Sequence, residues 1–122
     1  MTATPTVEAL LAEWIAAFNA HDLDRHMALY AEDAILFGSV DELQKGRGRI
    51  RDYFAGRPPT ISVKSYPMPE VRQVAPDVVV TAGHVDFADG DRPSPYRTTW
   101  ALVKTDGDWR IAQHHGSPQF AK

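Results

Sequence analysis

The chain has 122 residues, 43% of them hydrophobic and 24% charged, which is enough for one core and too little for two. A formal net charge of −3, with both signs mixed along the chain, excludes a general attraction to phosphate backbones, and the absence of cysteine excludes disulfides, thiolate nucleophiles and cysteine-based zinc sites. No apolar run approaches the roughly 20 residues that span a bilayer, and the opening MTATPTVEALLAEW lacks a signal-peptide pattern. A soluble, cytoplasmic domain over residues 1–122 is the expectation.

Thr4 and Pro5 suit an N-cap and a first helical position. Val7, Leu10, Leu11, Trp14, Ile15 and Phe18 then follow at helical spacing as one apolar stripe. Asn19–His21 reads as a turn, and Asp22 as the cap of a shorter helix burying Leu23, Met27 and Tyr30. The run AILFGS suits a strand. GRIRDYFAG predicts a third helix with Ile50, Tyr53 and Phe54 on one side, closed by Gly56 and the Pro58-Pro59 pair.

From Thr60 onward the period changes to two: TISVKSY, EVRQV, DVVVTAGHVDFA, YRTTWALVK and WRIAQHH read as strands. TDGD, centred on Asp106-Gly107, predicts a type I′ hairpin, and DGDRPSP a loop between the two strands before it. Helices first and a strand meander afterwards predict an α+β domain, with three N-terminal helices packed on a strongly bent, mostly antiparallel sheet. Such a cone encloses an apolar hollow suited to a small molecule. The basic run KGRGRIR carries no interleaved aromatic platform, so no nucleic-acid partner is expected, nor any membrane partner.

The stretches EWIAAFNAHDLDRHMALYAEDAILF and RTTWALVKTDGDWRIAQHHGS resemble the opening helices and closing hairpin of the nuclear transport factor 2-like superfamily, in particular its SnoaL-like and SgcJ/EcaC-like proteins. The resemblance implies a cone-shaped fold with a ligand cavity. Compared with the ketosteroid isomerases of that fold, Trp14 stands where a first-helix tyrosine would be and Gly38 where the strand acid would be, so that catalytic pair is absent. Asp86 and Arg97 offer a partial likeness to the Asp-Arg-Asp set of limonene epoxide hydrolase. His115 and Ser117 match the closing His-x-Ser of the calcium/calmodulin-dependent protein kinase II association domain, whereas Trp100 and Gly116 occupy positions of two of its cavity arginines.

Strict alternation along the last strand puts Trp109, Ile111, Gln113 and His115 on one face, and core-forming Trp109 and Ile111 then aim His115 into the cone, with His114 outward, unless a bulge intervenes. A proton-exchanging or a purely structural histidine both fit that position. His84 and Asp86 share a face with Val80 and Ala82; the opposite face, with Val79, Thr81, Val85 and Phe87, is also apolar, so either could look inward. Arg97 is expected to reach Asp86 across the strands, as a structural ion pair or as a substrate anchor. Trp14, Phe18, Tyr30, Phe37, Tyr53, Trp100 and Ser117 are candidate substrate-binding residues. His21, Asp22, Asp24 and His26 do not converge at helical spacing, so neither metal nor other cofactor is expected.

The expected function is binding of a small hydrophobic molecule, extended to cofactor-free acid/base chemistry of the isomerase, cyclase or hydrolase type if His115, His84, Asp86 and Arg97 meet in the cavity. The alternative is a non-catalytic oligomerisation module. A homodimer is expected, with the outer sheet face, and Val79, Val85 and Phe87 if they point that way, covered by a second copy.

Overall fold

The computed structural model describes residues 3–119. In chain order the elements are α1 (Thr4–Ala20), α2 (Leu23–Met27), β1 (Tyr30–Phe37), β2 (Gln44–Lys45), α3 (Arg47–Ala55), β3 (Ile61–Ser65), β4 (Glu70–Ala75), β5 (Val78–Asp89), β6 (Arg92–Thr105) and β7 (Asp108–Pro118). One sheet runs β2-β1-β7-β6-β5-β3, and β4 pairs with β5 as well. The pairs are antiparallel except for β1 beside β7. The fold is the expected α+β class, three helices on a curled sheet.

Helix α1 starts one residue earlier than the capping pattern suggests: Thr4 is already helical, Ala3 is the N-cap, and no side chain caps it. Its buried stripe is Val7, Leu11, Trp14 and Ala17, while Leu10, Ile15 and Phe18 flank it half-buried. The helix ends at His21, whose left-handed backbone (φ 55°) returns its N–H to the carbonyls of the last turn. Asp22 caps α2 as expected, accepting from the Arg25 N–H at 3.2 Å.

Tyr30 does not lie on α2, as the helical spacing predicts, but opens β1. The Ile111 N–H donates to the Leu29 carbonyl at 2.8 Å and draws the chain onto the sheet, where the sheet hydrogen bond replaces another helical turn.

The Asp106-Gly107 turn has φ of 53° and 85°, the two positive values of a type I′ hairpin. The loop expected over DGDRPSP is instead a tight hairpin: β5 and β6 pair as far as Asp89 and Arg92, with Gly90 at φ 60°. Pro93 and Pro95 sit within β6 without breaking a ladder. The Pro95 carbonyl faces the β7 side and accepts the Gln119 N–H, just past the last registered pair, Tyr96 with Pro118, so the donor that Pro95 lacks falls at the end of that ladder.

Trp14, Tyr30, Leu36, Ile50, Trp100, Leu102 and Ile111 are fully buried between helices and sheet. On β5 the residues facing the helices are Val79, Thr81 and Val85, all buried, with Phe87 half-buried. This corrects two expectations together: those apolar residues do not need a second copy to cover them, and His84 and Asp86 lie exposed on the outer face.

Candidate functional site

The placement of the closing histidines depends on one residue. Ala101 of β6 pairs with Gln113 and the next residue, Leu102, pairs with Ile111, so Ala112 is an extra residue in β7. Such a bulge reverses the alternation beyond it. Ile111 therefore faces the core, and so does His114, which is 8% exposed, while His115 is exposed on the outer face. The expectation that His115 points into the cone is overturned.

His114 lies deep in a pocket of about 320 Å³ between the helices and the sheet. Trp14 and Phe18 of α1 form one wall, Leu36 of β1 another, with Phe37 only at the rim, and Tyr53 and Phe54 of α3 a third; Val85, Phe87, Tyr96 and Thr98 form the sheet side. Trp14 stacks on Phe18 at 5.1 Å between ring centroids and meets the His26 ring edge-on at 5.0 Å, so the inner wall is a packed aromatic box.

A directed hydrogen-bond chain runs behind and into this pocket. The indole N–H of Trp14 donates to the Tyr30 hydroxyl at 3.0 Å, and that hydroxyl lies 2.8 Å from Nδ1 of His114. An indole only donates, so the Tyr30 oxygen accepts there, and the buried Tyr30 hydroxyl proton, which needs an acceptor of its own, has His114 Nδ1 within reach. His114 then carries its own proton on Nε2, which lies 3.3 Å from the Thr98 hydroxyl. Thr98 also interacts with Tyr66, which carries the polar chain on to a phenol at the pocket wall.

Burial sets the protonation states. Desolvation, assisted by the nearby His26 and His115, pushes His114 down to about 3, so it is neutral at physiological pH. Desolvation likewise raises Tyr30, and raises Tyr66 to about 12 against a smaller opposing effect of the Thr98 bond. Among the described residues no carboxylate lines the pocket. The polar groups that the hydrogen-bond chain places on its wall are neutral: a phenol, a hydroxyl and an imidazole whose lone pair is already occupied.

At the mouth, the Tyr53 hydroxyl accepts the Ser39 N–H at 2.8 Å and lies 2.9 Å from the Ser39 hydroxyl, and Arg57 donates to Ser39 Oγ at 2.7 Å. Gly38 is required there, because a Cβ would overlap the Tyr53 ring and hydroxyl.

The expected site residues thus divide. Trp14, Phe18 and Tyr53 line the pocket, whereas Phe37 touches only its rim and turns its ring to His115 on the outer face. Tyr30 supports it from behind through His114. Trp100 is buried beside it, its ring 6.0 Å from that of His114. His84, Arg97, His115 and Ser117 gather instead in a shallow groove on the outer sheet face, with Met68 and Glu70 at its edge. Arg97 is registered opposite His84 and Ser117, and Asp86 opposite Pro95, so Arg97 and Asp86 are diagonal rather than directly opposite neighbours in the ladder.

The HDLDRH residues separate too. His21 ends α1, Asp22 caps α2, Asp24 meets Arg51 at 2.6 Å, and His26 is buried. Among the described residues no group of three or more His, Asp or Glu could hold a metal ion, and no helix is long and apolar enough to cross a membrane.

The sequence reading missed His114, Thr98, Tyr66 and Arg57 as pocket residues. Tyr66 follows a second irregularity, between Val63 and Ser65 in the pairing with β5, so alternation hides it as it hides His114. Arg57 was legible only as the residue after a helix-ending glycine.

A family model described as a SnoaL-like domain matches residues 7–121. Among solved structures, a ketosteroid isomerase-like protein from Erwinia carotovora atroseptica has a TM-score of 0.83 at 20% identity over 98% of each chain. A protein from Xanthomonas campestris, described as a calcium/calmodulin-dependent protein kinase II association domain, has a TM-score of 0.76 at 28% identity, covering 93% of this chain and 86% of that one. A nuclear transport factor 2-like protein from Pseudomonas putida has a TM-score of 0.79 at 19% identity, over 98% of this chain and 88% of its own. Of the curated proteins searched, none matches.

Proposed function

The chain belongs to the SnoaL-like domain family, and from that premise we propose that it binds a small hydrophobic molecule in the aromatic pocket, with a carbonyl or similar acceptor on the ligand taking the hydrogen bond of Tyr66. The observation that carries this reading is the apolar, aromatic-lined space of about 320 Å³, walled at one side by the neutral polar groups His114, Thr98 and Tyr66 that end the buried chain from Trp14 and Tyr30. That volume is at the low end for small-molecule sites, and a few convergent polar groups in an apolar wall are what orients a ligand there. Proton abstraction by His115, His84, Asp86 and Arg97 is dropped, since those residues share the outer face and not the pocket. Any chemistry on the bound molecule would use Tyr66 to polarise the acceptor.

The test is native mass spectrometry of freshly purified protein, followed by denaturation to release whatever is bound, repeated with Tyr66→Phe. An extra small-molecule mass that weakens or disappears in the variant supports the reading. A bare protein that also fails to take up any apolar carbonyl compound refutes it.

A second reading, the self-associating module, is favoured by one observation. The outer face exposes Ile35 (39%) and Phe37 (41%) beside Gln113 and His115, next to the groove of His84, Arg97, Thr99 and Ser117. We propose that this face meets a second copy in a homodimer, which is compatible with a filled pocket. Light scattering at several concentrations checks it. A monomer throughout removes the dimer, and a large ring without ligand moves the assignment to an assembly module.

A further inference from the structure

Among the described residues the wall of the pocket contains a single charged side chain. Arg57, two residues past the end of α3, lines the pocket among apolar, aromatic and neutral polar groups, with no described Asp, Glu or Lys among the lining residues. Its position is set by three contacts: Nε donates to the Tyr53 carbonyl at 3.3 Å, Nη1 donates to Ser39 Oγ at 2.7 Å, and the guanidinium lies 4.6 Å from the Tyr53 ring centroid. None of these partners is anionic. The carboxylate nearest in sequence on the adjoining pocket, Asp22, is occupied with capping the Arg25 N–H, and no ion pair joins any described acid to Arg57.

A guanidinium has five N–H donors. Two are engaged here, so three remain on the Nη1–Nη2 side with no acceptor among the described residues. That arrangement is a pre-oriented fork without its counter-ion. The Nη1–Nη2 pair matches the two oxygens of a carboxylate, and because Ser39, the Tyr53 carbonyl and the Tyr53 ring already hold the side chain, little rotamer freedom remains to be lost on binding.

We propose that the ligand of this pocket is an organic monoanion, an aromatic or otherwise apolar body carrying one carboxylate, which seats that group on Arg57 at the mouth while its body fills the aromatic box. The inference rests on the binding reading above and names the ligand's chemical class. Both ends of the site then have a task. Tyr66 meets a neutral acceptor deep inside, and Arg57 neutralises the charge where water still reaches it.

The experiment titrates the purified protein, at pH 7 and low salt, with paired probes of equal shape: benzoate against benzamide, and 2-naphthoate against 2-naphthamide. The expected result is a carboxylate preference of about tenfold or more, the difference between a charge-assisted fork and a neutral hydrogen bond, which shrinks as salt is added. Arg57→Gln should collapse the carboxylate-to-amide ratio toward one, and Arg57→Lys should retain part of it, with circular dichroism confirming that each variant is folded. Equal binding of acid and amide by the parent protein, or a preference that survives in Arg57→Gln, overturns the inference and leaves the binding reading standing. No binding by either pair takes down the binding reading, and this inference with it.

Discussion

Replacing Tyr30 with Phe removes one oxygen and should cost more than any substitution at the protein surface. Tyr30 is 0% exposed, and its hydroxyl is both the acceptor for the Trp14 N–H, at 3.0 Å, and the donor to His114 Nδ1, at 2.8 Å. Taking it away strands a buried donor and a buried acceptor, at about 1–3 kcal/mol each. Phe has no hydroxyl of its own to desolvate, which returns about 1 kcal/mol, so the net loss is about 1–5 kcal/mol. With an unfolding entropy of roughly 2.1 cal/mol/K per residue, a chain of this length loses about 4 °C per kcal/mol, which gives a fall in Tm of about 4–20 °C. Urea and thermal unfolding followed by far-UV circular dichroism measure it. Tyr53→Phe is the control, because its hydroxyl bonds Ser39 at the exposed mouth and its loss should cost under about 1 kcal/mol. A Tyr30→Phe protein within about 0.5 kcal/mol of the parent, or a control just as unstable, would refute the directed chain.

Acid should unfold the protein through its buried histidines. His26, pushed down to about 4 by burial, and His114, at about 3, stay neutral in the folded state while an unfolded histidine takes a proton near 6.5. The unfolded chain therefore binds more protons below pH 6.5, and stability falls as pH drops from there toward 4, by about 1.4 kcal/mol per unit for each histidine. The urea midpoint should be flat from this source above pH 6.5 and fall steeply by pH 5, with His26→Leu reducing the slope; a flat profile over pH 6.5–5 contradicts the burial argument. Gly38→Ala should displace Tyr53 from its Ser39 contacts and cost about 1–3 kcal/mol, so a variant as stable as the parent with unchanged ligand retention means the mouth is looser than described. His115→Ala should change stability by no more than about 0.5 kcal/mol and leave the amount of pocket-bound ligand unaltered by native mass spectrometry, because His115 lies on the outer face; loss of ligand would put the histidine assignment in error.

What the sequence by itself determined is what local periodicity and turn chemistry can carry. The stripe from Val7 to Phe18 could only be an amphipathic helix, Asp22 a cap, Asp106-Gly107 a type I′ turn, and the alternating strands after Thr60 a bent antiparallel sheet under three helices. Several pocket walls followed as well, since Trp14, Phe18 and Tyr53 lie on faces whose period is regular. The tertiary structure alone decided the polar site. In a strand the two faces differ by one residue, so the extra Ala112 exchanges His114 for His115, and the irregularity after Val63 turns Tyr66 inward, with no change in composition to announce either. For β5 both faces are apolar enough to be buried, and only the packing of the helices against Val79, Thr81 and Val85 assigned His84 and Asp86 to the outside. A face is a property of the sheet and its neighbours, which a strand read alone does not contain.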